Sequence, residues 1–157
     1  FVVCLFILLL CPLLFYLAII DPCCTRKGLN GNCGFYQCFE KILQCGSFVY
    51  LIAYGYKYCI KFKTCYNSFT QSGKNWIDCV RPCLTRELLE KYTEDVFTGQ
   101  QCEELQTYAF TTHVGCFHQC GFCDIYDDNL SVFYKVYEVV EYFSVQVEEQ
   151  IKQIAAK

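Results

Sequence analysis

The chain has 157 residues, 15 of them Cys, with 54% hydrophobic, 18% aromatic and 18% charged residues and a formal net charge of −3. That length holds one domain, the apolar content excludes a disordered chain, and the lack of any basic block excludes binding nucleic acid through its phosphates. Cytosolic thiols stay reduced, so a Cys content of about one residue in ten points to a secreted disulfide scaffold rather than a cytosolic enzyme.

Phe1 to Ile20 is almost uninterrupted apolar sequence, with no charge before Asp21. A stretch of about 20 apolar residues is long enough to span a bilayer. Its place ahead of a Cys-rich region favours a secretory signal peptide over 1–20, leaving no membrane contact once cleaved. Cys4 and Cys11 would leave with it, and thirteen Cys remain. An odd number requires one thiol to stay free or to pair with a second chain.

Residues 21–34 read as a loop, with Asp21-Pro22, Gly28 and Asn30-Gly31 as turn markers. From Phe35 to Gln44 the positions Phe35, Phe39, Ile42 and Leu43 recur at helical spacing. Residues 48–62 leave two patterns open: Phe48, Leu51, Ile52 and Cys59 fit a helix face, whereas Tyr54, Tyr56, Tyr58, Ile60 and Phe62 alternate as in a strand. Lys74 to Lys91 reads as a helix striped by Ile77, Val80, Leu84 and Leu88, with a kink or break expected near Arg81 because Pro82 follows. Cys102 to His113 forms a short amphipathic segment ended by Gly115. After Asp127-Asp128-Asn129, taken as a cap, Phe133, Val136, Val140, Phe143, Val147, Ile151 and Ile154 follow 3/4 spacing. The fold class expected is all-α: a disulfide-stapled helical domain over 21–128 followed by a long C-terminal amphipathic helix over 129–157. The narrow seam of that helix would cap its own domain or pack against a second copy.

Few residues offer chemistry. The tract His113-Val-Gly-Cys116-Phe-His118-Gln-Cys120-Gly-Phe-Cys123 carries both histidines of the chain and enough N and S atoms for a zinc ion. In an oxidising compartment those Cys form disulfides instead, and no metal is expected on His113 or His118. The adjacent Cys23-Cys24 suggests a small secreted phospholipase, but Thr25-Arg26-Lys27-Gly28 follows where a catalytic His is needed. No catalytic residue or cofactor-binding motif is assigned, and the chain is read as acting without catalysis. Asn129-Leu130-Ser131 is an N-glycosylation sequon, with a helix N-cap as the alternative role for Asn129 or Ser131.

Cys24, the box from Cys33 to Cys38, the stretch from Phe69 to Ile77 with Cys83-Leu84, and Cys102, Cys116 and Cys123 form a Cys ladder that resembles the stanniocalcins, a family of secreted, disulfide-linked glycoprotein hormones. Cys24 and Cys33 are followed by Cys33-Gly34-Phe35-Tyr36-Gln37-Cys38, which is similar to the family's Cys-Gly-x-x-x-Cys box. Phe69-Thr-Gln-Ser-Gly73-Lys74-Asn-Trp76-Ile77, then Cys83-Leu84, is similar to its Phe-x-x-x-Gly-Lys-x-Phe-Val…Cys-Ile stretch, and the spacing of Cys102, Cys116 and Cys123 also matches. The resemblance spans about Cys24 to Cys123. It implies the bridges Cys24–Cys38, Cys33–Cys59, Cys45–Cys102 and Cys83–Cys116. Cys23, Cys65, Cys79 and Cys120 are additional to the family pattern, and Cys65 or Cys79 is expected to pair with Cys120 or Cys23. The sequon at Asn129 is displaced from the family's customary place.

The resemblance implies an extracellular, homodimeric signalling ligand that binds a protein receptor or another extracellular protein and acts in calcium or phosphate balance. Some members of the family inhibit an extracellular metalloprotease. The alternatives are a secreted Cys-rich structural or venom-type protein and a small secreted hydrolase.

Overall fold

The computed structural model describes residues 20–94 and 101–137. They form six α-helices, one π-helical stretch and one short 3₁₀ turn, with no strand among the described residues. Residues 1–19 of the signal peptide expected over 1–20 lie outside them, as do Val140, Phe143, Val147, Ile151 and Ile154 of the expected C-terminal seam.

The segment expected to be a loop contains helix α1, Pro22–Leu29. Its turn markers are start signals: the Asp21 side chain accepts the Cys23 amide at 3.2 Å, and Pro22 occupies a first-turn position where no N–H is needed. At the other end α1 leaves carbonyls without helical partners. Side chains of the long helix α4, Gln71–Glu94, supply donors. Thr85 Oγ1 donates to Gly28, Arg86 Nε to Leu29 at 3.0 Å, and Arg81 donates to Gly31 at 2.8 Å in the turn that follows.

Helix α2, Gly34–Leu43, buries Phe35, Tyr36, Phe39 and Leu43 on one face. The next segment is helical throughout, so the strand alternation of 48–62 is not realised. A π-helical stretch, Leu51–Tyr56, runs into helix α3, Lys57–Cys65. Gly55 of that stretch lies against Tyr36: a Cβ there would sit 2.5 Å from a Tyr36 ring carbon. The polar–apolar alternation of 54–62 is an accident of Lys57 and Lys61 falling beside Tyr58 and Phe62, which the helix buries.

Pro82 does not break α4. The α1–α2 turn presses on the helix at this point. Gly31 adopts φ +63°, and a Cβ on it would lie 2.5 Å from the Pro82 nitrogen. The turn therefore covers the helix where Pro82 has no N–H to offer. Helix α5, Cys102–Gln119, likewise runs through Gly115 and ends only at Cys120 and Gly121, the latter at φ +80°. Helix α6, Phe122–Val136, starts well before Asn129. The Asp127-Asp128-Asn129 triplet lies inside this helix and caps nothing, and a domain boundary at 128 falls in the middle of an element. Phe133 and Val136, the start of the predicted seam, are buried in the core of their own chain, as is Val132.

Apolar side chains gather in two clusters. The first joins α1, α2, the π-helical stretch, the C-terminal half of α4 and the start of α5 around Phe35, Phe39, Leu51, Leu88 and Leu105. The second joins α3, the N-terminal half of α4, the end of α5 and α6 around Phe62, Trp76, Ile77, Phe117 and Phe133. Tyr54 packs against both.

Candidate functional site

Five disulfides staple this arrangement: Cys24–Cys38, Cys33–Cys59, Cys45–Cys102, Cys79–Cys120 and Cys83–Cys116, with Cα separations of 5.5–5.8 Å. These lie within the range open to an unforced bridge. Four of them join the residues that the stanniocalcin resemblance pairs, and the fifth uses two of the additional Cys. Cys79 and Cys83 stand one turn apart on α4, as Cys116 and Cys120 do on α5, so two rungs tie the helices together antiparallel. Cys23, Cys65 and Cys123 are unbridged; Cys23 and Cys123 are exposed.

The sequon corrects an expectation. Asn129 is fully buried. Its Nδ2, the atom a glycan would occupy, donates to the Ile125 carbonyl at 2.7 Å and to Thr70 Oγ1 at 3.0 Å. Its Oδ1 accepts the Thr70 amide at 2.9 Å. A sugar has no room there without dismantling the packing of α6 on α4, so Asn129 is a structural residue. It is no N-cap of its own helix but supports the N-terminus of α4, where Thr70 Oγ1 accepts the Gly73 amide at 3.1 Å.

The two histidines do not face one site. His113 is buried in the junction of the two apolar clusters, with Tyr50, Tyr54, Phe110 and Phe117 rings 5.6–5.9 Å from its own. Its Nε2 and the Tyr50 hydroxyl are 3.2 Å apart. Burial removes water from the imidazole and lowers its pKa to about 3, so His113 is neutral at physiological pH. His118 is half-buried one turn on. The one described cluster with metal-ligand geometry is Cys83, Glu87 and Cys116. Both of its sulfurs are spent in the Cys83–Cys116 bridge, and the Glu87 carboxylate accepts from the Tyr108 hydroxyl at 3.0 Å.

Beside His113 lies a cavity of about 40 Å³ that neither motif nor periodicity had marked. It is rich in tyrosine: Tyr36, Tyr50, Tyr54, Tyr58 and Tyr137 contribute to its wall, with Trp76 and Arg81 from α4. Tyr50, Tyr54 and Tyr58 recur every four residues, and Tyr50–Tyr54 and Tyr54–Tyr58 rings lie 5.8 and 4.5 Å apart. That spacing was the available signal, obscured by the competing period of two through Tyr54, Tyr56 and Tyr58. Burial pushes the Tyr36 and Tyr50 hydroxyls well above the usual tyrosine range, so both stay protonated. Among the described residues its wall thus holds a neutral imidazole, protonated phenols and no carboxylate.

No described helix is long and apolar enough to cross a membrane. Comparison with protein-family models, with curated proteins and with solved structures finds no match to this chain.

Proposed function

We propose that the protein is a secreted, stanniocalcin-like signalling ligand that acts by binding an extracellular protein. The observation that carries this reading is the pairing pattern: the bridges Cys24–Cys38, Cys33–Cys59, Cys45–Cys102 and Cys83–Cys116 reproduce the ladder that the resemblance implies. Five disulfides in one domain need an oxidising compartment, which agrees with export behind the apolar leader. A domain held rigid by staples loses little conformational freedom on binding, which suits a ligand whose outer helix faces do the recognising. In this reading the target is a cell-surface receptor or an extracellular enzyme, the response lies in calcium or phosphate balance, and the mature chain is a homodimer.

The test is to express the chain with its leader in a secretory cell line, recover it oxidised from the medium, and titrate the labelled protein onto cells that transport calcium and phosphate. Saturable surface binding, competed by unlabelled protein and accompanied by altered uptake of either ion, is expected. Retention inside the cell, or surface binding that never saturates, overturns the proposal. Sedimentation with and without reductant checks the dimer, which a monomer at micromolar concentration in both conditions rules out.

A further inference from the structure

The cavity beside His113 holds two hydrogen-bond donors that the protein itself does not satisfy. Trp76 is 1% exposed, and its Nε1 is buried without an acceptor; the Arg81 Nε is buried without one as well. Both side chains belong to α4 and both line this cavity. A buried N–H left without a partner costs about 1–3 kcal/mol, more when it belongs to a charged group. Two such groups in the wall of one cavity indicate a guest that accepts and need not donate.

Charge narrows the class of guest. Arg81 is the one charged side chain of the described wall. The imidazole of His113 is neutral, Cys59 is bridged, and no Asp or Glu contributes. The guanidinium donates through an NH₂ group to the Gly31 carbonyl, a neutral acceptor. Arg81 is half-buried with its Nε enclosed, a guanidinium makes its stronger hydrogen bonds to charged acceptors, and no described residue of the wall supplies a carboxylate. Size favours a small guest: about 40 Å³ holds roughly three or four water-sized bodies.

We propose that this cavity is a binding site for a single monatomic anion of the halide class, held by the Arg81 guanidinium and the Trp76 indole N–H. Water would satisfy the two donors, but an anion makes the stronger, charge-assisted hydrogen bond to the guanidinium. The site does not depend on the hormone-like reading. It lies where α3, α4, α5 and the π-helical stretch meet, so occupancy ties the two apolar clusters together.

Trp76 is the only tryptophan of the chain, so its fluorescence reports on the site without dilution. The oxidised full-length protein is titrated with sodium bromide replacing sodium sulfate at constant ionic strength. An indole this buried is shielded from collisional quenching, whereas bromide seated against it quenches by contact. A loss of emission that saturates with bromide in the wild type, persists in Arg81→Lys and disappears in Arg81→Leu is the expected result. A shallow linear loss in the wild type, or the same saturating curve in Arg81→Leu, overturns the proposal. Because Arg81→Leu also loses the contact to Gly31 and can fail to fold, a crystal of the wild type grown in bromide provides a second reading. An anomalous peak within hydrogen-bonding reach of Trp76 Nε1 and Arg81 Nε supports the site. Water density there, with bromide peaks only on the surface, overturns it.

Discussion

Asn129 on α6 and Thr70 at the head of α4 exchange hydrogen bonds in both directions. Asn129 Oδ1 accepts from the Thr70 backbone, and its Nδ2 donates to the Thr70 hydroxyl. The Asn129 amide fills the space that a side chain at Gly73 would occupy: a Cβ there would meet Asn129 Oδ1 at 2.7 Å. The two residues fix the distance between the last described helix and the longest one.

Asn129→Ala should therefore destabilise the oxidised protein by about 2–4 kcal/mol, because it strands buried polar groups and opens a void. Ser131→Ala removes the same sequon at an exposed position and should stay within about 0.5 kcal/mol of wild type. Urea denaturation of the two variants separates these outcomes. Mass spectrometry of the secreted protein should find Asn129 unmodified.

His113 makes stability depend on pH. In the folded state it remains neutral down to about pH 3, whereas in the unfolded chain it takes up a proton near its ordinary value of 6.5. The unfolded state thus binds the extra proton in that window, and stability falls as pH drops from about 6.5 towards 3, by up to about 1.4 kcal/mol per unit. Denaturation midpoints measured at pH 7.5 and 4.5 should show a smaller difference in His113→Gln than in wild type.

The paired rungs between α4 and α5 should not contribute independently. With Cys83–Cys116 in place, Cys79–Cys120 closes a ring of only about ten residues, for a chain-entropy contribution of about 3 kcal/mol; without it, the loop is that of a 41-residue separation and the contribution rises to about 4 kcal/mol. Removing both bridges should cost about 1 kcal/mol more than the sum of the single removals. A double-mutant cycle with Cys79→Ser/Cys120→Ser and Cys83→Ser/Cys116→Ser measures this coupling.

Two glycines should respond in opposite directions. Gly115 lies inside α5 with open space where a Cβ would project, so Gly115→Ala should stabilise by about 0.5–1 kcal/mol. Gly31 combines φ +63° with contact against the Pro82 backbone, so Gly31→Ala should cost more than about 1 kcal/mol. Thermal unfolding of both variants provides the check.

The all-α class was legible because helical spacing at Phe35–Leu43, Ile77–Leu88 and Phe133–Val136 reflects one-sided burial, and burial is what forms these helices. Their boundaries were not. Gly115 and Pro82 carry local signals to stop, and contacts from elsewhere in the chain override the second of them: the Gly31 turn lies against Pro82, and Arg81 reaches back to Gly31. Asp21-Pro22 reads equally well as a turn or a helix start, and only the carbonyl partners that α4 supplies at the far end decide for a helix. The cavity was hidden for a related reason, since Trp76, Arg81, His113 and Tyr50 come from three segments that no local period links.

The order of the bridges along the chain has a consequence for proteolysis. The spans Cys24–Cys38, Cys33–Cys59, Cys45–Cys102 and Cys79–Cys120 each begin before the previous one ends. Every peptide bond from Cys24 to Cys120 is therefore straddled by at least one sulfur–sulfur link. A protease that cuts once anywhere in that interval, including the stretch between Glu94 and Gln101, releases nothing. The nicked molecule keeps its full mass on a non-reducing gel and separates into two pieces only when reductant is added.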